Sequence, residues 1–424
     1  MSTPRLVIID GVRTPFSKMG TELARLGADE LGRVATSALL TRTGIDPGSI
    51  DEVIFGCVGQ PAEAANVARV IALRSGIPEH VPAITVHRNC ASGCESLTQA
   101  YEKMVAGRGS IFLVGGTESM SQIPLLFQYR TAEKFGRLSR AKSFMKRMQA
   151  MLAFRPSDFK PRIGLQLGLT DPVCGMNMGE TAEILAREYE ITRDLQDAFA
   201  LESHTRAVAG REKLAEEICP VYGKKPVTAD NGPREGQSME ALAKLKPVFD
   251  RRTGTVTAGN ASQITDGAVA MLVMTEEKAS ELGLQPIGAL SGYAYAGCDP
   301  ARMGLGPTFA ISKAEEKTGL TLEQADVVEI NEAFAAQVLA VLKTLRSEDF
   351  ARKHLRRDRP VGKIPKERLN VNGGSIALGH PVGATGARLI LTSLKELARR
   401  QAKRALISLC VGGGQGAAIW LERL

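Results

Sequence analysis

Apolar residues along this chain come in short runs, separated by glycines and by stretches of helical period. RLVIID at 5–10 reads as a first strand, and a Gly-, Leu- and Ala-rich helix follows near 28–42. DEVIFGCV at 51–58 reads as a buried strand and 61–75 as a helix entered through Pro61. PAITVHRNC at 82–90 reads as a strand running to Cys90. CESLTQAYEKMVA at 94–106 has helical period and stops at Gly107, before a strand at 110–120, SIFLVGGTESM. The C-terminal part repeats the order. LNVNGG at 369–374 is a short strand entering a Gly-rich turn, 384–400 a helix, and RALISLCVGGG at 404–414 a strand ending in glycines. AAIWLERL then reads as one more strand. Two related α/β halves explain the repeat, and so does ordinary strand–helix–strand architecture; pattern leaves both open.

Residues 121–250 break the rhythm. An aromatic and basic segment is followed by charged helices and turns such as DNGPREG at 230–236, which reads as an inserted lobe. Within it Leu138, Ala141, Met145, Met148 and Leu152 recur at threes and fours, one apolar stripe on a basic helix. Core packing, a cap on a tunnel, a docked partner and a membrane surface all fit that stripe.

Composition narrows the class. With 424 residues and 44% hydrophobic content the chain is long enough for two or three domains. Its 43 glycines show no period of three and suit an α/β protein with many tight turns. No run of 18 apolar residues predicts a membrane span. The start shows no apolar signal segment and the end, WLERL, no sorting tail, so a cytoplasmic location is expected. Seven sparse cysteines, odd in number and without CxxC, do not form a disulfide framework. Cys90 and Cys94 share a helix face only if Cys90 is helical, so no metal site is expected.

The net charge is +8, unevenly spread. The stretch 130–162 holds ten Lys and Arg against Glu133 and Asp158; 352–368 holds eight against Asp358 and Glu367. Such stretches suit a phosphorylated ligand, an acidic partner, an anionic membrane or simply solvent. No helix-turn-helix, zinc or aromatic-strand pattern supports nucleic acid.

Candidate chemistry sits where apolar strands meet glycines. Cys90 stands before Ala-Ser-Gly, where a strand-to-helix turn would project a thiol into a cleft at a helix N-terminus. The alternative is a buried inert cysteine. His380, in GHPVGATG, has glycines that allow close backbone approach, and it supplies a base near neutral pH or an oxyanion donor. His80, His87, His204 and His354 have no such context and read as surface or packing residues. Cys410 precedes VGGGQG, a loop whose N–H groups suit a ligand or an oxyanion. A nicotinamide cofactor is disfavoured, because no helix follows that loop. Asn331, after DVVEI, reads either as a water or substrate holder or as a helix N-cap with Glu332 in the first turn.

Five blocks in order resemble the thiolase family over nearly the whole chain: RNCASGCESLTQA, GTVTAGNASQITDGA at 254–268, NEAFA, GGSIALGHPVGATGAR and CVGGGQG. The resemblance implies the thiolase fold, two similar βαβαβαββ halves packed as a layered αβαβα core with an inserted loop domain. It divides the chain into an N-terminal domain (1–120 and 251–277), a loop domain (121–250) and a C-terminal domain (278–424). It implies CoA-dependent acyl transfer, the thiolytic cleavage of 3-oxoacyl-CoA in fatty-acid β-oxidation. In that scheme Cys90 is the acylated nucleophile, His380 its activator, Asn331 the holder of an oxyanion-hole water and Cys410 the acid/base. Backbone N–H groups of Cys90 and Gly412 form a second hole. Ser262 contacts the CoA pantetheine, Arg234 approaches the adenine end, and Met178 and Phe334 line the thioester cleft. Coenzyme A is then a substrate, and neither a resident cofactor nor a metal is implied.

Two departures stand out. Asn177 occupies the position before Met178-Gly179 where short-chain members have His, and Ala241 stands where a CoA-contacting Ser is common. The long basic 125–175 segment resembles the thiolase subunit of the fatty-acid trifunctional complex. That implies medium- to long-chain use, a hydratase/3-hydroxyacyl-CoA dehydrogenase partner, a homodimer or dimer of dimers, and peripheral membrane contact through the basic insert. The rivals are an acetoacetyl-CoA-forming acetyltransferase, a decarboxylating ketosynthase, which pairs Cys with two His, a noncatalytic lipid-transfer protein and a basic nucleic-acid binder.

Overall fold

The structure, a computed structural model, describes residues 4–424. Strand β1 (Leu6–Arg13), helix α1 (Ala28–Thr43), β2 (Glu52–Gly56), α2 (Val67–Arg74), β3 (Ala83–Val86), α3 (Ser92–Val105) and β4 (Ile111–Ser119) open the chain. An excursion follows with α4 (Tyr129–Arg140), α5 (Phe144–Leu152), α6 (Met178–Glu188) and α7 (Arg193–Ala209). β5 (Thr265–Thr275) returns to the sheet. The remainder runs β6 (Gly288–Gly297), α8 (Gly306–Thr318), β7 (Val327–Ile330), α9 (Ala335–Leu345), α10 (Val382–Arg400), β8 (Arg404–Val411) and β9 (Gln415–Glu422).

These strands make one sheet in the order β7-β8-β9-β6-β1-β5-β4-β2-β3, with Ser17–Lys18 paired to β5. The two halves of that order match. β1 and β5, then β5 and β4, pair antiparallel, whereas β4 with β2 and β2 with β3 are parallel. β6 and β9, then β9 and β8, pair antiparallel, and β8 with β7 is parallel. The fifth strand of the second half is reduced to a parallel bridge between Val328 and Leu369. The strand expected at 369–374 is therefore only a bridge, because Asn370 takes a left-handed φ of 44° and turns the chain. The half-sheets meet at the pairs Val7–Ala289 and Ile8–Gly288.

Burial explains the layering. α1 and α2 cover one face of the first half-sheet through Leu31, Ala35, Leu39 and Ile71. Helices α8 and α9 cover one face of the second through Ala310, Ile311, Val338 and Val341. Between the two half-sheets lies the pair α3 and α10, with Leu97, Ala100, Ile390 and Leu394 in a core shared by β4, β5, β8 and β9. This is the αβαβα order, and its middle layer is buried except toward the C-terminal ends of its helices, where Glu102, Val105, Ala398 and Arg400 are exposed. The two central helices touch backbone to backbone: a Cβ on Gly93 would lie 2.5 Å from Ala387 N, and one on Gly386 2.6 Å from Cys94 N.

Three expected elements differ. The helix expected from Pro61 starts at Val67, because the Asn66 side chain accepts from Arg69 N–H at 3.3 Å and caps it there. The strand expected to reach Cys90 ends at Val86, and a turn follows in which Asn89 has φ 42°. The stripe at 138–152 lies on two helices, not one, since Ser143 caps α5 by accepting from Lys146 N–H. Only Ala141 is buried; Met145 and Leu152 are 75% and 80% exposed, so the stripe is not core. The arm is tied to the body by a short ribbon in which Leu125 and Leu126 pair with Ile163 and Arg162. No described helix is long and apolar enough to cross a membrane.

Candidate active site

The turn after β3 positions Cys90 two residues ahead of α3. Asn89 accepts the left-handed backbone there. Its Nδ2 donates to Gly412 O at 2.8 Å, tying the turn to the glycine loop after β8. Gly412 in return directs its N–H at the Cys90 thiol. Burial pushes that thiol up to about 11, against the pull of the Gly412 and Cys90 N–H groups. At rest Cys90 is therefore a neutral thiol that needs a base.

His380 enters from the matching turn of the second half. Gly379 has φ 99°, and a Cβ there would stand 2.2 Å from the Thr265 side chain, so only glycine fits. His380 N–H donates to Gln263 O at 3.0 Å, and α10 begins two residues on. Burial, and then the nearby Arg388 charge, lower the imidazole to about 3. It is neutral at rest. Cys410 lies within β8, opposite Gly416. Burial first and the neighbouring Cys90 second raise its thiol well above the usual value.

Asn331 is not a helix N-cap. Phe334 is extended and α9 starts at Ala335, three residues beyond Glu332. Both Asn331 and Glu332 are buried. Asn331 Nδ2 lies 3.4 Å from His380 Nε2, and its Oδ1 accepts from Ser375 Oγ at 2.6 Å. Glu332 accepts from Ser203 Oγ, Asn370 Nδ2 and Ile376 N–H, a structural carboxylate.

A cavity of about 580 Å³ collects Cys90, His380, Cys410 and Gly412; Asn331 and Glu332 lie buried behind its lining. Ser262, Met178 and Phe334 line it with them. Ile123, Leu165, Leu167, Leu169 and Val173 form an apolar wall contributed by the excursion. Arg234 lies outside the cavity, exposed, with its backbone N–H on His204 Nδ1 at 3.2 Å. His204 is buried and lowered to about 4, first by burial and then by the Arg234 and Lys18 charges, so it is a neutral packing residue. Asn177 is used up as a cap: with Glu180 it makes a reciprocal capping box at the start of α6. Among the described residues no three His, Cys, Asp or Glu side chains cluster as metal ligands.

The sequence reading missed Glu118. Its carboxylate lines the cavity, accepts from Val58, Gly59 and Gly383 N–H, and clamps the loop after β2 to the start of α10. Burial raises it to about 7 despite those three donors. The available signal was a lone carboxylate in the otherwise apolar and small run 110–120.

Comparison with known proteins covers the chain almost end to end. The profile described as "Thiolase, N-terminal domain" matches residues 6–277, and "Thiolase, C-terminal domain" matches 284–423. A 3-ketoacyl-CoA thiolase of Aeromonas salmonicida is 40% identical over 425 residues, 99% of this chain and 97% of its own length. One from Serratia proteamaculans is 39% identical with the same coverage. Among solved structures, an acetyl-CoA acetyltransferase from Bacillus anthracis superposes with TM-score 0.86 at 38% identity, covering 100% of both chains. Human mitochondrial 3-ketoacyl-CoA thiolase in complex with CoA also gives 0.86, at 35% identity, over 100% of this chain and 98% of that one.

Proposed function

The chain belongs to the thiolase family, and from that premise we propose that it is a 3-ketoacyl-CoA thiolase, cleaving 3-oxoacyl-CoA with CoA. The observation that carries the reading is one cavity that joins two neutral thiols and a neutral imidazole to an apolar wall. His380 takes the proton of Cys90, and the thiolate attacks the 3-keto carbon. The bond between the α- and β-carbons breaks, leaving the acyl group on Cys90 and releasing the acetyl-CoA enolate. His380 and a water held by Asn331 stabilise that enolate, and Cys410 gives it a proton. Cys410 then takes the proton of an incoming CoA thiol, whose sulfur attacks the acyl-enzyme; Cys90 leaves as a thiolate and takes its proton back from His380. Covalent catalysis divides one hard step into two. The second oxyanion hole is read as the N–H groups of Cys90 and Gly412, each donor worth about 3–4 kcal/mol in such sites. Ser262 is assigned to the pantetheine, Arg234 to the adenine end, and Met178 and Phe334 to the thioester.

The division into 1–120 with 251–277, 121–250 and 278–424 assigns the nucleophile to the first domain, acyl and CoA contacts to the insert, and acid/base work to the last. The Leu165, Leu167, Leu169 and Val173 wall favours medium or long acyl chains. The second reading, an acetyl-CoA acetyltransferase, draws on the Bacillus anthracis likeness. Thiolysis rates on short-, medium- and long-chain 3-oxoacyl-CoA separate the two. CoA-dependent cleavage rising with chain length is expected. Activity confined to acetoacetyl-CoA selects the second reading, and no cleavage of any substrate overturns both.

We further propose a homodimer or dimer of dimers in the cytoplasm. The exposed arm of α4 and α5 is its contact with a hydratase/3-hydroxyacyl-CoA dehydrogenase subunit or an anionic membrane. Phe144, Met145 and Leu152 stand exposed beside Arg140, Lys146 and Arg147 in support.

A further inference from the structure

The polar groups around His380 form a continuous run of hydrogen bonds whose Arg388 end sets the direction. At one end Arg388, fully buried and paired with Glu329 at 3.4 Å, places Nη2 3.5 Å from Ser375 Oγ. A guanidinium can only donate. Ser375 therefore accepts, and its own proton goes to Asn331 Oδ1, 2.6 Å away. That leaves the Asn331 amide N–H to face His380 Nε2, at 3.4 Å. At the other end the Pro381 carbonyl can only accept, and Thr385 Oγ1 lies 3.0 Å from it. With its proton on that carbonyl, Thr385 accepts from His380 Nδ1 at 2.6 Å.

The reverse arrangement fails at the serine. An Asn331 amide turned over would donate to Ser375 Oγ, which already receives Arg388. The serine proton would then have no acceptor among these side chains, an expensive state for a fully buried hydroxyl. Arg388 thus breaks a symmetry that Asn, His and Thr alone would leave open.

We propose that Ser375 and Thr385 are positioning residues that hold His380 as the Nδ1–H tautomer, with the lone pair on Nε2. This deepens the thiolase reading and rests on it for the role of His380 as the base that takes the Cys90 proton. A base of the other tautomer would carry a proton on the nitrogen that must accept one.

The test uses the full chain labelled with ¹⁵N-histidine, with His380 signals identified by their loss in His380→Asn. A protonated-type shift at Nδ1 and a lone-pair-type shift at Nε2 are expected. The opposite pattern overturns the proposal. Thr385→Val, nearly isosteric but without the hydroxyl, should shift the tautomer balance and slow Cys90 acylation about tenfold with a smaller change in KM. Thr385→Ser should restore both. An unchanged spectrum in the valine variant, or a serine variant that behaves like valine, refutes the role of Thr385. If the valine variant does not fold, Ser375→Ala takes its place, and there too an unchanged spectrum counts against the proposal. The spectrum is independent of activity. A chain with the expected tautomer but no thiolysis would sink the functional reading alone, and an active chain with Nε2–H would sink this one alone.

Discussion

The two halves of the molecule share one strand order and differ at the ends of equivalent elements. Glu118 and Cys410 each lie two residues past the last parallel pair, Gly56–Gly116 in one half and Ile330–Ser408 in the other. Each also stands opposite a glycine, Gly267 or Gly416. In the first half this place holds a carboxylate that accepts three backbone N–H groups and fixes loops. In the second it holds a thiol facing Cys90. The turns ahead of α3 and α10 differ likewise, with Cys90 in one and His380 in the other. The matching architecture thus brings two equivalent helix starts to one point, and different residues at four equivalent places set a thiol, an imidazole, a second thiol and a carboxylate there. The chemistry is asymmetric on a nearly symmetric frame.

Cys90→Ala breaks the asymmetry most severely. It should abolish the acyl-enzyme altogether, read by incubation with labelled acyl-CoA, denaturation and mass analysis. Label retained on the mutant chain would show that the first half is not the acyl carrier. Cys410→Ser should keep acylation but lower steady-state turnover by about 10²–10⁴-fold. Full turnover would remove the acid/base role from the second half.

Glu118→Gln sharpens the contrast through pH. Below about 4.5 the carboxyl is protonated in both folded and unfolded chains. Between about 4.5 and 7 only the unfolded chain loses its proton, so folding stability falls as pH rises. Above 7 the loss from this group is complete, on the order of 3 kcal/mol. Melting temperature against pH should show a shallower decline in the glutamine variant. Parallel curves would mean that Glu118 does not carry that proton. Gly386→Ala tests the crossing of the central helices. The added methyl meets Cys94 N at 2.6 Å, so a loss of about 1–3 kcal/mol is expected in denaturant unfolding, with the same slope. No loss would show that α3 and α10 can separate without cost.

Much of the frame was legible beforehand because it is periodic. The 28–42 helix, the 110–120 strand and the 384–400 helix announce themselves by apolar spacing and by glycines at their ends, and all three stand within a few residues of expectation. The misreadings cluster where a polar side chain competes with the backbone pattern. Asn66 delays a helix, Ser143 splits one, and Asn89 ends a strand early. Each offers its own hydrogen bond to a nearby N–H or adopts a left-handed turn, and an apolar pattern does not record that choice. Glu118, Ser375 and Thr385 went unremarked for a related reason. Their importance lies in partners 265, 44 and 5 residues away, Gly383, Asn331 and His380.

By itself the sequence determined most of the element order and the family, and it offered the candidate reactive side chains, because each depends on local period or on residues in a fixed local context. Only the tertiary structure decided which groups meet. Burial makes Cys90 a neutral thiol and His380 a neutral imidazole, and the Gly412 N–H directed at Cys90 comes from a different half of the chain. The exposed arm became two helices rather than one, and Asn331 became His380's neighbour rather than a cap. Desolvation and hydrogen bonding are sums over atoms distant in sequence, so they exist only once the chain has folded.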